Sequence, residues 1–142
     1  MKLRWLSVAC AVLAVGLLAA GCGGGGEKES EEAKTECKKE ATTKPTGLPA
    51  AFPVPGEVTF TEVRRDGPTI VVDGYWTAGI DEAYPEFKDQ VEQAGYDVLF
   101  TEKEEHDAEI SYKGSGRTGQ IALRDDCTED DTTRVHITSR PE

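Results

Sequence analysis

The chain has 142 residues with 27 acidic and 16 basic side chains, a formal net charge of −11 at pH 7. This length fits one domain, and the acidic balance repels phosphate backbones, which excludes nucleic-acid binding as a function class. Self-repulsion of so acidic a chain favours a soluble monomer.

Lys2 and Arg4 open the chain, and the next sixteen residues, "WLSVACAVLAVGLLAA", carry no charge. This run falls short of the ~20 residues a bilayer-spanning helix requires, and it has the layout of an export signal. It ends in Leu18-Ala19-Ala20-Gly21-Cys22. That ending resembles the lipobox of bacterial lipoprotein precursors, although the position three before the cysteine, commonly leucine, is Ala19 here. The resemblance implies that residues 1–21 are removed, that the Cys22 thiol carries a diacylglyceryl group, and that the mature chain hangs from the outer side of the cell membrane. A thiol suits this role because it is the best nucleophile among the side chains. Loss of residues 1–21 takes Lys2 and Arg4 and no acid, leaving 14 basic and 27 acidic residues, a net charge of −13.

With Cys10 removed and Cys22 lipidated, Cys37 and Cys127 are left in a compartment where disulfides persist. Their pairing is forced if they pair at all. Metal ligation is the competing use, but two cysteines with no neighbouring histidine or third cysteine fall short of a zinc site.

Residues 22–47 form the lipidated cysteine and a tether. Residues 23–47 contain no aromatic side chain and no Leu, Ile or Val, so they lack apolar surface to bury and read as flexible. The folded domain runs over residues 48–142. Pro53, Pro55 and Gly56 lead into a strand over 57–65 in which Val58 and Phe60 share a face and the alternation slips near Val63, which fits a bulge or a strand end. Residues 64–68, "RRDGP", are a turn. A second strand over 69–78 sets Ile70, Val72 and Trp76 on one face, with Gly74 marking close packing or a bend. The helix comes next, with Asp81 as N-cap, Pro85 in the first turn or forcing a slightly later start, an apolar stripe of Phe87, Val91 and Ala94 beside Tyr84, and Gly95 as its stop.

Four further strands, over 96–105, 108–115, 118–127 and 132–140, alternate apolar and polar residues. Val98/Phe100, Ala108/Ile110/Tyr112, Ile121/Leu123 and Val135/Ile137 all point one way. One-sided burial predicts an antiparallel sheet of about six strands, and the order β-β-α-β-β-β-β predicts an α+β fold with one helix packed on one face. Cys127 shares parity with Ile121 and Leu123 and is expected to point inward. The segments "FPVPGEV", "EAYPEFKDQVEQAGYDV", "KGSGRTGQIAL" and "RVHITSR" are similar to framework stretches of small actinobacterial lipoproteins. This resemblance implies a fold and a location but brings no catalytic residue.

The motifs that carry chemistry elsewhere read here as scaffold. "GSGRTG" (114–119) has the G-x-G-x-x-G spacing but runs into a strand, so it is a hairpin and not a dinucleotide cradle. "DDCTEDD" (125–131) lacks the alternate spacing and glycine of a calcium loop. His106 and His136 lack a third ligand, and Ser111, Ser115 and Ser139 lack a nucleophile context. No pattern therefore nominates a catalytic residue, a cofactor or a metal. Trp76 and Tyr96 are expected in the core. Tyr75, Arg134 and His136 fall on the sheet's outward face and are the candidate binding residues, for an envelope protein or a small-molecule ligand. The competing function is a small metal-dependent or hydrolytic enzyme that uses the acidic face.

Overall fold

In the computed structural model, residues 33–42, 48, 54, 55 and 57–142 are described. The leader, Cys22 and the first part of the tether lie outside these residues. Six strands and one helix run in the order β1 (Thr59–Asp66), β2 (Thr69–Trp76), α1 (Ile80–Gln93), β3 (Asp97–Lys103), β4 (Asp107–Gly114), β5 (Arg117–Arg124) and β6 (Thr133–Pro141). They form one antiparallel sheet, β1-β2-β6-β5-β4-β3, with α1 packed on the β3–β5 half of one face. The chain is an α+β two-layer fold. Among the described residues, no helix is long and apolar enough to cross a membrane.

Two hairpin turns show why consecutive strands pair. Gly67, at φ +56°, is the first central residue between β1 and β2, where a type II′ turn places its glycine. Ser115 and Gly116, at φ +53° and +71°, join β4 to β5 with both central residues in the left-handed region, the type I′ pattern. The glycine-rich run is thus a hairpin. Its last glycine, Gly119, is there for a different reason. The Tyr112 ring crosses over it so that the hydroxyl donates to the Thr138 carbonyl at 2.7 Å. A Cβ at Gly119 would sit 1.9 Å from that carbonyl and 2.5 Å from the hydroxyl. Gly74 answers to the same constraint more mildly, with the Thr59 carbonyl 2.6 Å from where its Cβ would be.

The helix starts earlier than its capping chemistry suggests. Gly79 is the N-cap, with no side chain closing the first turn. Asp81 is the second helical residue, where its charge suits the helix dipole and pairs with Lys103 on β3 at 2.6 Å. Burial decides the boundary: Ile80 and Ala83 join Phe87 and Val91 in the stripe that meets the sheet. Pro85 therefore lies inside the helix rather than in its first turn, and exposure to solvent makes its missing N–H tolerable. At the other end, Gly95 donates to the Glu92 carbonyl at 3.0 Å and Tyr96 to that of Val91 at 3.2 Å, the two bonds of a Schellman motif.

The core lies between α1 and the sheet. Trp76 meets Phe87 edge-on with ring centroids 5.9 Å apart, and Tyr96 meets Tyr112 edge-on at 5.6 Å. Ile110, Ile121, Leu123 and Ile137 are fully buried, and Leu48 and Val58 extend the same cluster beyond the helix. The bulge in β1 falls between Phe60 and Glu62. A second bulge, between Val98 and Phe100, turns the remainder of β3 to the other face. Val98 remains on the helix side, but Phe100 pairs with Ser111 on the opposite face and is exposed, so it does not join Val98 in the core.

Tyr112 is held neutral by burial, which pushes its hydroxyl up to about 12. Because Gly119 leaves no room for a methyl group beneath this ring, Gly119→Ala is expected to cost about 3 kcal/mol, against about 1 kcal/mol or less for Gly79→Ala, where nothing lies within 4 Å and only the N-cap preference is lost. Denaturant unfolding of the two variants measures the contrast.

Candidate functional site

The face of the sheet away from α1 is ordered in rows, since residues paired in register share a face. One row runs Glu62, Asp73, His136, Ala122, Glu109, Glu102 across all six strands. Beside it lies a neutral row of Val71, Thr138, Gln120 and Ser111, ended by Arg64 on β1 and Phe100 on β3. On its other side come Tyr75, Arg134, Arg124 and Asp107. Tyr75, Arg134 and His136 therefore do share this face, and Tyr75 stands directly opposite Arg134.

Arg134 and His136 are each tied to a carboxylate. The Asp73 carboxylate lies 2.6 Å from His136 Nδ1 and accepts from Arg64 at 2.8 Å, linking β1, β2 and β6. Asp126 takes the Arg134 guanidinium through both of its oxygens, the Nε contact at 2.8 Å. This forked pairing fixes Arg134 with its plane set. Outward parity reveals the arginine and the histidine. It does not reveal their acids, because Asp73 lies 63 residues from His136 and Asp126 is one acid among five in its loop.

A short strap crosses one end of this face. Thr35 forms a parallel bridge with Cys127: its N–H donates to the Asp126 carbonyl at 2.7 Å, and its own carbonyl accepts from Thr128 at 2.9 Å. Cys37 and Cys127 are joined by a disulfide, with exposures of 6% and 2%. Thr42 then donates to the Phe60 carbonyl on β1 at 2.7 Å. Of the expected tether, residues 35–42 thus lie on the domain, held through backbone hydrogen bonds and one covalent link that need no apolar side chain. Between strap and sheet lies an open cleft of ≈ 170 Å³ lined by Thr35, Cys37, Thr61, Asp73, Gly74 and Arg134.

Glu129 secures the strap. Its two carboxylate oxygens accept the N–H groups of Lys38 at 2.8 Å and Cys37 at 3.1 Å. The Lys38 bond, opposed in part by desolvation and reinforced by the Cys37 bond, holds this carboxyl down at about 2. The acidic loop 125–131 thus spends Asp126 on Arg134 and Glu129 on the strap. The one group of metal-type side chains that converges among the described residues is Cys37, Asp126 and Cys127, and its two sulfurs are bonded to each other, not available as thiolates. His106 sits in the β3–β4 turn, 3.6 Å from Asp125, and belongs to no such group. Ser139 is engaged by Arg117 at 2.7 Å, so the serine nearest the core is a structural acceptor.

Set against known protein families, functionally described proteins and solved structures, the chain gives no match in any of the three.

The strap leads to two expected outcomes. A carboxyl lowered from 4.5 to about 2 stabilises the docked strap fully above pH ~4.5, and this contribution is lost as pH falls through about 2. The amide proton shifts of Cys37 and Lys38 should titrate in that window in the native chain and stay flat in Glu129→Gln. Separately, the bridge spans 90 residues, and the chain-entropy model gives Cys37→Ser a loss of at most about 4–5 kcal/mol. Denaturant midpoints with and without reductant measure it, and identical midpoints would mean that the link adds nothing.

Proposed function

We propose that this chain is a lipoprotein of the cell envelope, processed at Cys22 and held on the membrane by the lipid there. Its domain then faces the extracytoplasmic side and binds an envelope partner without catalysis, through the sheet face that carries Tyr75, Arg134 and His136. The buried Cys37–Cys127 bridge is the observation that carries the reading. Such a bond persists in oxidising compartments and is rare in the cytosol, in agreement with an export signal ending at Cys22. The spacing also fits. Twelve residues, 23–34, separate Cys22 from the first strap hydrogen bond at Thr35. They reach about 20 Å as a flexible chain and about 40 Å at full extension, enough to hold a small domain just clear of a lipid surface.

The shape of the open face favours a macromolecule over a small ligand. A cleft of ≈ 170 Å³ is below the ~300–1,000 Å³ of small-molecule sites, whereas the rows beside it offer a polar surface that spans all six strands. Cys22→Ala tests the reading. The native chain is expected in the membrane fraction with the mass of a lipidated polypeptide beginning at Cys22, and the variant as unprocessed precursor or as released protein. A native chain recovered from the cytosol with Met1 in place and its thiols reduced overturns it.

A further inference from the structure

The two edges of the sheet are treated differently by the chain itself. At the β1 edge, Thr42 donates to the Phe60 carbonyl, so the strap occupies the backbone beside that bulge. The β3 edge is last in the sheet order and has no strand beyond it among the described residues. Leu99 and Phe100 stand on this uncovered edge, 59% and 53% exposed. Bulges and charges are the usual protection of an edge strand, and β3 has both. Yet its bulge ends at Phe100, leaving Phe100–Lys103 in regular extended pairing with β4. The charges on it are of one sign where they face outward. Asp97 and Glu102 share the open face with Phe100; Asp97 stands opposite Lys113, but Glu102 has no cation across from it. The single cation of the strand, Lys103, lies on the helix side and pairs with Asp81 at 2.6 Å.

One pairing on this edge is unfavourable as it stands. Glu102 lies directly opposite Glu109, two like charges in register, and Glu109 is held in place by Gln120 at 2.7 Å. A cation placed beside Glu102 from outside the chain relieves that repulsion. Beyond the lysine pair, the β3–β4 turn adds Glu104 and Glu105, both exposed.

We propose that the β3 edge is a docking edge for an extended segment of a basic partner polypeptide, which adds a seventh strand to the sheet. An added strand sets alternate side chains on one face about 6.8 Å apart. The partner segment therefore carries an apolar side chain against Phe100 and, two residues away on the same face, a lysine or arginine against Glu102. Charge complementarity selects this occupant over a second copy of the same acidic chain and over an anionic lipid surface. The inference stands on the edge alone and does not require the lipid at Cys22.

The test uses the purified full chain in detergent and a labelled ten-residue peptide in which threonine alternates with leucine and lysine in turn. Saturable binding is expected, weakening as salt rises, with amide shift changes concentrated on Asp97–Lys103. Phe100→Glu should weaken binding about tenfold or more, as for loss of an aromatic anchor. Glu102→Gln should flatten the salt dependence, and Val63→Glu, at the opposite edge, should leave binding unchanged. Phe100 and Glu102 are both exposed, and circular dichroism checks that each variant folds. The proposal is overturned if no binding occurs, if a peptide with glutamate for lysine binds equally well, or if the shifts fall on Tyr75 and Arg134 instead. It is also overturned if Phe100→Glu leaves binding intact, dissolves a homodimer seen in sedimentation, or abolishes binding of the unlabelled chain to phosphatidylcholine vesicles. Each of these leaves the Cys22→Ala result untouched, so failure here is distinct from failure of the anchor reading.

Discussion

A single helix has to cover a six-stranded sheet, and most of the structure results from that shortage. Fourteen helical residues bury Ile80, Ala83, Phe87 and Val91, and they lie mainly over the β3–β5 half of one face, with Phe87 reaching Trp76 of β2. On the other half, Leu48, Val58 and Trp76 complete the same cluster. Among the described residues no helix covers the opposite face, so the strands alternate except at their bulges. Residues such as Ala122, Gln120 and Thr138 there take the place that a second apolar layer has in larger folds. A core this small is thinly provided, which gives the covalent link between Cys37 and Cys127 more weight than it has in a large domain.

The link also decides where the domain begins. Residues 33–42 have no apolar side chain beyond alanine and cysteine, yet they are fixed at Thr35, Cys37, Lys38 and Thr42 by backbone donors and acceptors. Two of those donors converge on one carboxylate, Glu129, and the mutual stabilisation shows in its lowered affinity for a proton. The acidic loop is therefore a clamp built from ordinary hydrogen bonds. Its acids look redundant in a chain with a net charge of −11, but Asp126 and Glu129 have separate and defined partners.

Strand and helix types were legible in the sequence because alternation and a 3.6-residue stripe are local signals. The hairpin connections were legible for the same reason. The insertion of β6 between β2 and β5 was not, since it depends on which strand the last segment finds and not on its own pattern. Phe100 shows how a single residue defeats period-two reasoning: the bulge at Leu99 is one residue long, and everything after it changes face. Asp81 shows burial overruling capping preference, because the buried Ile80 draws the helix start forward to Gly79. On the open face, parity placed Tyr75, Arg134 and His136 correctly as neighbours. The acids that hold Arg134 and His136 were hidden, because a bond between distant residues leaves no mark in local composition.

The open face is more organised than solvation alone requires. Scattered surface charges gain little from one another, and a merely soluble sheet has no need of like charges set in register. Here Glu62 faces Asp73 and Glu102 faces Glu109, while Arg124 faces Arg134 on the neighbouring row. Toward the centre the repulsion is answered from within the chain: Asp73 is compensated by Arg64, and Arg134 by Asp126. At the β3 edge Asp97 is met by Lys113, but Glu102 faces Glu109 with no cation across from it, beside two exposed apolar side chains. A surface neutralised at its middle and left unbalanced at one edge has its unspent interactions where no strand of its own is available to meet them.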